Sequence, residues 1–222
     1  MNKDYLKNFH ANFFLELFSL IHEKQFPHLI RTYEKDQPIE MANDLCTQVG
    51  FVLNGNVQIE EVLRSGKKNV INNLNQFDIF GEILLFSTNP YYPYDIIAIS
   101  QCEILLINKE ILLKIFKEDI NILEKFLYHI SHSYMNLNKF AKLQTQKNIQ
   151  SKLAYYFIYY NQISYDNLVC KIQTKTHLAE LLGVERQSLI RELNRLKLNH
   201  YLDYDRNNIY ILDFSYFKTL IE

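Results

Sequence analysis

A chain of 222 residues with 48% hydrophobic and 22% charged residues has the composition of an ordinary globular protein, with room for one large domain or two modest ones. The net charge of −1 gives no overall attraction for nucleic acid, so an anion-binding site must be local. The three widely spaced cysteines, Cys46, Cys102 and Cys170, argue against a disulfide framework and are too few for a four-thiolate iron–sulfur cluster. We therefore expect a soluble protein of the reducing cytoplasm.

Residues 1–28 predict a helical extension. The stretch MNKDYLKNFHANFFLELFSLI is amphipathic, with no long uninterrupted apolar run and no small-residue cleavage site. These features favour an amphipathic helix over a signal peptide or a membrane span.

Residues 29–108 have the pattern of short antiparallel strands. Asn54-Gly55 lies between two β-prone runs and predicts a hairpin, because both turn positions need a positive φ. The sequence RSGKKN at 64–69 predicts a second hairpin, and NQFDIFGE at 75–82 predicts a loop. The run DIIAISQCEILLIN at 95–108 predicts two final strands. Several close strands without intervening helices predict an antiparallel β-roll or jelly roll, and an α+β fold for the whole chain.

Residues 109–145 predict a long helix that dimerises. Apolar residues alternate at spacings of three and four along one seam: Ile120, Leu123, Leu127, Ile130, Tyr134, Leu137 and Ala141. A second stripe is expected to pack on the roll: Phe116, Ile122, Phe126 and Phe140. A buried helix in a monomer is the alternative, but a narrow seam beside a separate apolar face favours a homodimer.

Residues 146–222 predict a helix-turn-helix with a wing. Thr174 is a candidate N-cap, Ala179 is small where two helices cross, and Gly183 suits the turn between them. Leu189 anchors the second helix. The β-prone segment YLDYDRNNIYIL that follows, with Arg206 at its turn, supplies the wing.

The second helix has an outward face suited to DNA. Leu189, Leu193 and Leu196 form its core side. The opposite side has residue types that read base edges or bind phosphate: Arg186, Gln187, Ser188, Arg191, Asn194 and Arg195. With Thr174 and Arg206 these residues form the predicted DNA-binding site.

The order of a β-roll containing Phe80-Gly81-Glu82, a long helix and a winged helix-turn-helix resembles the Crp/Fnr family of bacterial transcription regulators. The resemblance lies in FVLNGNVQI, NNLNQFDIFGEILLF, ISQCEILLINKEIL, SKLAYYFI and THLAELLGVERQSLIRELNRL. It implies a cyclic-nucleotide-binding-like roll, and a homodimer that binds a palindromic operator in double-stranded DNA. Arg186, Gln187 and Arg191 would face the bases. RNA polymerase and an unknown small-molecule effector are further partners that it implies, and the first 28 residues depart from the family pattern.

The family's cyclic-AMP site is not reproduced in this sequence. In members that bind cyclic AMP, an Arg-Ser pair after the Gly-Glu holds the phosphate, but this register has Tyr92-Pro93. A buried phosphate without a cation would be poorly compensated, so we expect that cyclic AMP does not control the protein. The candidate effector pocket comprises Gly81, Glu82, Tyr91, Tyr92, Tyr94 and Asn138.

Other chemistry has little support in the sequence. His129 and His132 resemble a ligand pair, but the heptad register predicts that both face solvent. Residues 29–128 contain no histidine for a cupin-type metal site. Cys102 is expected to be a packed thiol, and Cys46 is a weak redox candidate. We predict no enzyme, metal or cofactor; the alternative to a DNA-reading regulator is a sensor module that acts through a protein partner.

Overall fold

The computed structural model describes residues 3–63, 66, 68–161, 163, 165 and 167–221. Its contacts divide the chain into one compact unit at Asn2–Ser131 and a second at His132–Glu222. No helix in these described ranges is both long enough and apolar enough to cross a membrane.

The first unit begins with a helix, continues as a β-roll and ends in helices. Its elements are α1 (Lys3–Glu23), β1 (Leu29–Tyr33), β2 (Pro38–Glu40), β3 (Gln48–Asn54), β4 (Val57–Val62), β5 (Lys68–Leu74), β6 (Ile79–Phe80), α2 (Glu82–Leu85), β7 (Asp95–Ala98), β8 (Cys102–Asn108) and α3 (Lys109–Glu118). Helix α4 (Ile120–Gln144) continues from this unit into the second.

Two antiparallel sheets build the roll. Their strand orders are β1-β8-β3-β6 and β2-β7-β4-β5. Buried side chains from both sheets, such as Val52 and Val57, belong to one hydrophobic cluster. This arrangement confirms the predicted antiparallel roll.

Helix α1 contributes its apolar face to the same cluster. Phe13, Phe14, Leu17 and Ile21 are buried. The ring of Phe14 lies 5.3 Å from that of Phe77, centroid to centroid. The N-terminal helix is thus part of the core of this unit, which accounts for the amphipathic pattern in the sequence.

The turn at Asn54-Gly55 is not a hairpin, so that prediction is wrong. Strand β3 pairs with β6 and β8, whereas β4 pairs with β5 and β7. The Asn54 side chain accepts a hydrogen bond from the Gly55 N–H at 2.8 Å, and Asn56 N–H donates to Ser100 Oγ at 2.9 Å. Gly55 has the expected positive φ, 84°, but Asn54 does not, and the chain leaves the turn toward the other sheet.

The next two turn regions differ in outcome. Strands β4 and β5 pair antiparallel, as a second hairpin requires; its turn includes residues 64, 65 and 67, which lie outside the described residues. The segment predicted as the loop NQFDIFGE contains β6, which pairs with β3 at Gly50 and Phe51. The loop prediction is therefore wrong for Ile79 and Phe80.

The predicted helix over 109–145 is divided at Asp119. The backbone there is extended, with φ −137° and ψ 108°. The Asp119 carboxylate accepts a hydrogen bond from the Asn121 N–H at 2.8 Å. An aspartate that satisfies a free N–H of the first turn favours a new helix start over continuation.

The second unit is a helical core with a small sheet. After the end of α4 come α5 (Ile149–Tyr155), a π-helical turn (Tyr156–Tyr160), β9 (Val169–Lys171), α6 (Lys175–Leu182), α7 (Arg186–Leu198), β10 (Leu202–Tyr204), β11 (Asn208–Ile211) and α8 (Phe214–Thr219). The strands form one antiparallel sheet in the order β10-β11-β9. The α+β fold class is confirmed.

Candidate nucleic-acid interface

Helices α6 and α7 form the helix-turn-helix that the sequence predicts. Thr174 caps α6, because its Oγ1 accepts a hydrogen bond from the His177 N–H at 3.0 Å. Gly183 ends the helix in the left-handed region, with φ 62°. A β-carbon at that φ is strained, so glycine suits this turn.

The C-terminal end of α6 is tied to neighbouring helices through its carbonyls. Gln144 Nε2 donates to the Leu181 carbonyl at 2.7 Å, and Lys152 Nζ donates to the Leu182 carbonyl at 2.7 Å. These carbonyls have no partner within their own helix. The last residue of α4 and a residue of α5 therefore fix the position of α6.

Helix α7 divides into a buried and an exposed face. Leu189, Leu193 and Leu196 are buried. Arg186, Gln187, Arg191, Asn194 and Arg195 are exposed, and Ser188 is half-buried. The predicted DNA-binding side chains of this helix thus share its open side.

Several of these side chains have intramolecular partners. Arg191 donates to Ser188 Oγ at 3.1 Å, which holds the guanidinium one turn from the helix start. Arg195 pairs with Glu192 at 2.8 Å, and Lys197 pairs with Asp203. The positive charges of Arg195 and Lys197, in the C-terminal part of α7, are therefore partly neutralised. Arg186 and Arg191 lie in the N-terminal half of the helix.

A surface cavity of about 350 Å³ lies where the first turns of α6 and α7 meet the wing. It is lined by Gln173, Thr174, Lys175, Thr176, Arg186, Arg206 and Asn207. Lys175 also donates to the Asp205 carbonyl at 2.7 Å. Three cationic residues around a helix N-terminus suit an oxyanion such as a DNA phosphate.

The turn between β10 and β11 is organised by Asp205. Its carboxylate accepts hydrogen bonds from the N–H groups of Asn207 and Asn208 and from the Tyr210 hydroxyl. Hydrogen bonds from Asn208 and Asn207 hold the pKa of Asp205 well below its usual range. This exposed turn therefore has a defined shape, and it presents Arg206 at its tip.

Helix α4 exposes most of the predicted dimer seam. The exposed fractions are 59% for Ile120, 53% for Leu127, 65% for Tyr134 and 66% for Leu137. Leu123 and Ile130 are half-buried, and Ala141 is exposed. Four large apolar side chains left in water along one helix are typical of a surface that a partner covers.

The second stripe is buried in its first part only. Phe116, Ile122 and Phe126 are buried, but Phe140 is 38% exposed, so the expectation that it packs on the roll is not met. His129 continues the buried stripe, three residues after Phe126. The prediction that His129 faces solvent is wrong, because it was based on the heptad seam alone and α4 also buries a second face. His132 is half-buried.

Glu82 has a histidine partner that the sequence did not reveal. Its Oε1 lies 3.4 Å from His129 Nε2, and both side chains are largely buried. Gly81 precedes it in the left-handed region, with φ 80°. The carboxylate is therefore directed at α4.

The tyrosines of the candidate effector pocket have different environments. Tyr92 is buried, and a β-carbon at Gly81 would lie 2.9 Å from its hydroxyl oxygen. Tyr91 is exposed and Tyr94 half-buried. Asn138, half-buried on α4, belongs to the second unit. Of the predicted set, the structure brings together Gly81, Glu82 and Tyr92, and Tyr92 occupies the space beside the glycine.

The cysteines are packed thiols. Cys46, Cys102 and Cys170 are all buried. Burial raises the pKa of Cys46, and it raises that of Cys170 to about 12. Burial likewise holds the pKa of Tyr92 well above its usual range. A protonated, inaccessible thiol is a poor nucleophile, which argues against the redox interpretation of Cys46.

Replacement of His129 by leucine is expected to lower the free energy of unfolding by about 1–3 kcal/mol, because it leaves the buried Glu82 carboxylate without this partner. Urea denaturation followed by circular dichroism measures the change. His28→Leu is the matched control, since His28 is exposed. Equal destabilisation by the two substitutions would contradict a role for the Glu82–His129 contact.

Sequence reasoning did not identify several residues around the helix-turn-helix. Lys175, Thr176 and Asn207 line the cavity, and Tyr204 contacts α7. Lys175 directly follows the N-cap, at the end of a helix where backbone N–H groups favour an anion. That signal was available in the sequence; the contact of Tyr204 depends on the strand register of the wing.

Two family models match the chain. The cyclic nucleotide-binding domain matches residues 30–119, and the Crp-like helix-turn-helix domain matches residues 151–220. Together they span both the roll and the winged helix. Among curated protein sequences, none matches the chain significantly.

Solved structures have the same fold. The catabolite activator protein of Thermus thermophilus is 16% identical with a TM-score of 0.51, covering 95% of this chain and 94% of its own. CprK in complex with OCPA is 16% identical with a TM-score of 0.62, covering 91% and 93%. A transcriptional regulator of Thermotoga maritima is 25% identical with a TM-score of 0.52, covering 56% and 98%.

Proposed function

We propose that this chain, which belongs to the Crp/Fnr family of bacterial transcription regulators, is a homodimer that binds a palindromic DNA operator in a sequence-specific manner and is not controlled by cyclic AMP. Such a protein acts in the cytoplasm, where the chromosome lies. Family membership also supports RNA polymerase as a protein partner and a small molecule as effector of the roll.

One observation carries the DNA-binding proposal. The exposed face of α7 presents Arg186, Gln187 and Arg191 beside a cavity with two further cationic residues, Lys175 and Arg206. Arginine and glutamine recognise guanine and adenine edges in the major groove, and the cationic cavity suits the adjacent phosphate. The chain as a whole is nearly neutral, so this local charge supports a specific interface.

The dimer proposal is supported by the exposed seam of α4. A symmetric pair of these helices would bury Leu127 and Leu137 from both protomers. It would also supply two copies of α7, which a palindromic operator requires.

Independence from cyclic AMP is supported by the residues around Gly81. Glu82 is engaged by His129, and the Tyr92 hydroxyl occupies the position beside the glycine. The aromatic segment after Glu82 supplies Tyr92-Pro93 where cyclic-AMP-binding members have a cation. Neither the ribose nor the phosphate of the nucleotide would find its partner here.

A selection from random double-stranded oligonucleotides tests the DNA-binding proposal. We expect the wild type to enrich a palindromic sequence, with affinity falling at least about tenfold between low and physiological salt as phosphate contacts are screened. Fluorescence anisotropy measures the affinity. No protein-dependent binding at low salt would contradict the proposal and favour a module that acts through a protein partner.

A thermal-shift measurement tests independence from cyclic AMP. Millimolar nucleotide is expected to leave the melting temperature unchanged, because a ligand stabilises a protein only when it binds the folded state. A large stabilisation by cyclic AMP would overturn this part of the proposal and leave DNA binding intact.

A further inference from the structure

The wing makes a direct contact with the exposed face of α7. Tyr204 is the last residue of β10 and pairs with Ile209 of β11, so the sheet fixes its backbone. Its hydroxyl donates a hydrogen bond to Asn194 Oδ1. Tyr204 N–H also donates to Asp203 Oδ1 at 2.6 Å, which holds the residue at the strand end.

The Tyr204 ring is held in place by two lysines. Lys175 Nζ lies 4.7 Å from the ring centroid, and Lys197 Nζ lies 5.6 Å from it. Lys197 in turn pairs with Asp203. The hydroxyl therefore reaches Asn194 from a ring that contacts of α6 and α7 keep in one orientation.

Asn194 lies on the same exposed face as Gln187 and Arg191, one turn after Arg191. An asparagine reads adenine by using both ends of its amide, since its oxygen accepts from N6 and its nitrogen donates to N7. In this protein the Asn194 oxygen is turned toward Tyr204. The NH₂ group of Asn194 is therefore the part of the amide that can contact a DNA base.

We propose that Tyr204 is a positioning residue that keeps the Asn194 oxygen turned toward the wing and its NH₂ group toward DNA, so that Asn194 selects guanine or thymine and does not select adenine. This inference rests on the proposed DNA-binding function. A donor matches O6 and N7 of guanine or O4 of thymine, whereas adenine loses half of its bidentate contact.

The selection experiment is repeated with Asn194→Ala, Tyr204→Phe and Asn194→Asp. Asn194→Ala identifies the operator position that this side chain reads, because preference is lost there alone. Tyr204→Phe frees the amide to rotate, and we expect preference at that position to shift toward adenine by on the order of fivefold or more. Asn194→Asp keeps an acceptor for the Tyr204 hydroxyl but removes the NH₂ donor. Because a carboxylate accepts from N4 of cytosine, the base preference at that operator position should shift toward cytosine.

Tyr210→Phe is the matched control, because the Tyr210 hydroxyl donates to Asp205 within the same wing. We expect it to leave preference at the Asn194 position unchanged. If the wild type enriches no sequence, the proposed function fails and this inference falls with it. If the wild type enriches an operator with adenine at that position, or if Tyr204→Phe retains the wild-type base there, the positioning role alone is wrong.

Discussion

Arg191→Ala is expected to reduce discrimination between the selected operator and random DNA by about 1–3 kcal/mol, the contribution of one bidentate contact to a base. Arg191 extends from the exposed face of α7, and its bond to Ser188 Oγ at 3.1 Å orients the guanidinium near the helix start. Competition binding with operator and random duplexes measures the ratio of affinities.

Two variants separate base reading from charge. Arg191→Lys keeps the positive charge but lacks the planar fork, so it should retain affinity for random DNA while losing discrimination. Arg31→Ala removes another exposed arginine, on β1, and should change neither quantity. Unchanged discrimination in Arg191→Ala would remove this residue from the predicted readers.

Placing a glutamate in the seam, by Leu127→Glu or Leu137→Glu, is expected to dissociate the dimer. Burial of one leucine stabilises by about 1.5–3 kcal/mol, and each substitution removes two copies, so about 3–6 kcal/mol of association free energy is lost. The dimer dissociation constant should rise by at least about a hundredfold. Sedimentation equilibrium measures it, and operator affinity should fall with it.

Leu15→Glu is the control for the seam. Leu15 is 56% exposed on α1, so the substitution adds the same charge to another exposed helical leucine. It should sediment like the wild type. A monomeric wild type, or seam variants that still form dimers, would contradict the dimer proposal and favour a single-chain role for α4.

The helix-turn-helix could be predicted from the sequence because the residues that define it act locally. The cap at Thr174 and the left-handed turn at Gly183 each follow from one residue and its immediate neighbours. The buried leucines of α7 follow from helical spacing alone. Such features depend on the few residues around them, and the structure has them where the sequence indicated.

Errors arose where long-range pairing decides the outcome. The turn at Asn54-Gly55 sets only the local backbone, whereas β4 pairs with β5 and with the distant β7, which begins at Asp95. His129 was predicted to face solvent from the dimer seam of α4 alone, but α4 buries a second face that includes His129. The contact of Glu82 with His129 joins residues 47 positions apart, which no local pattern reports.

The hydrogen bonds at the end of α6 have a consequence for the proposed recognition of a DNA operator. Gln144 holds α6, and Tyr134 and Leu137 of the proposed dimer seam lie on the same helix as Gln144, a few turns before it. In a symmetric dimer the crossing of the two α4 helices would therefore set the distance between the two α7 helices. Half-sites one helical turn of DNA apart, about 34 Å, would be engaged together. If several base pairs were inserted between the two half-sites, only one α7 helix of the dimer would bind its half-site.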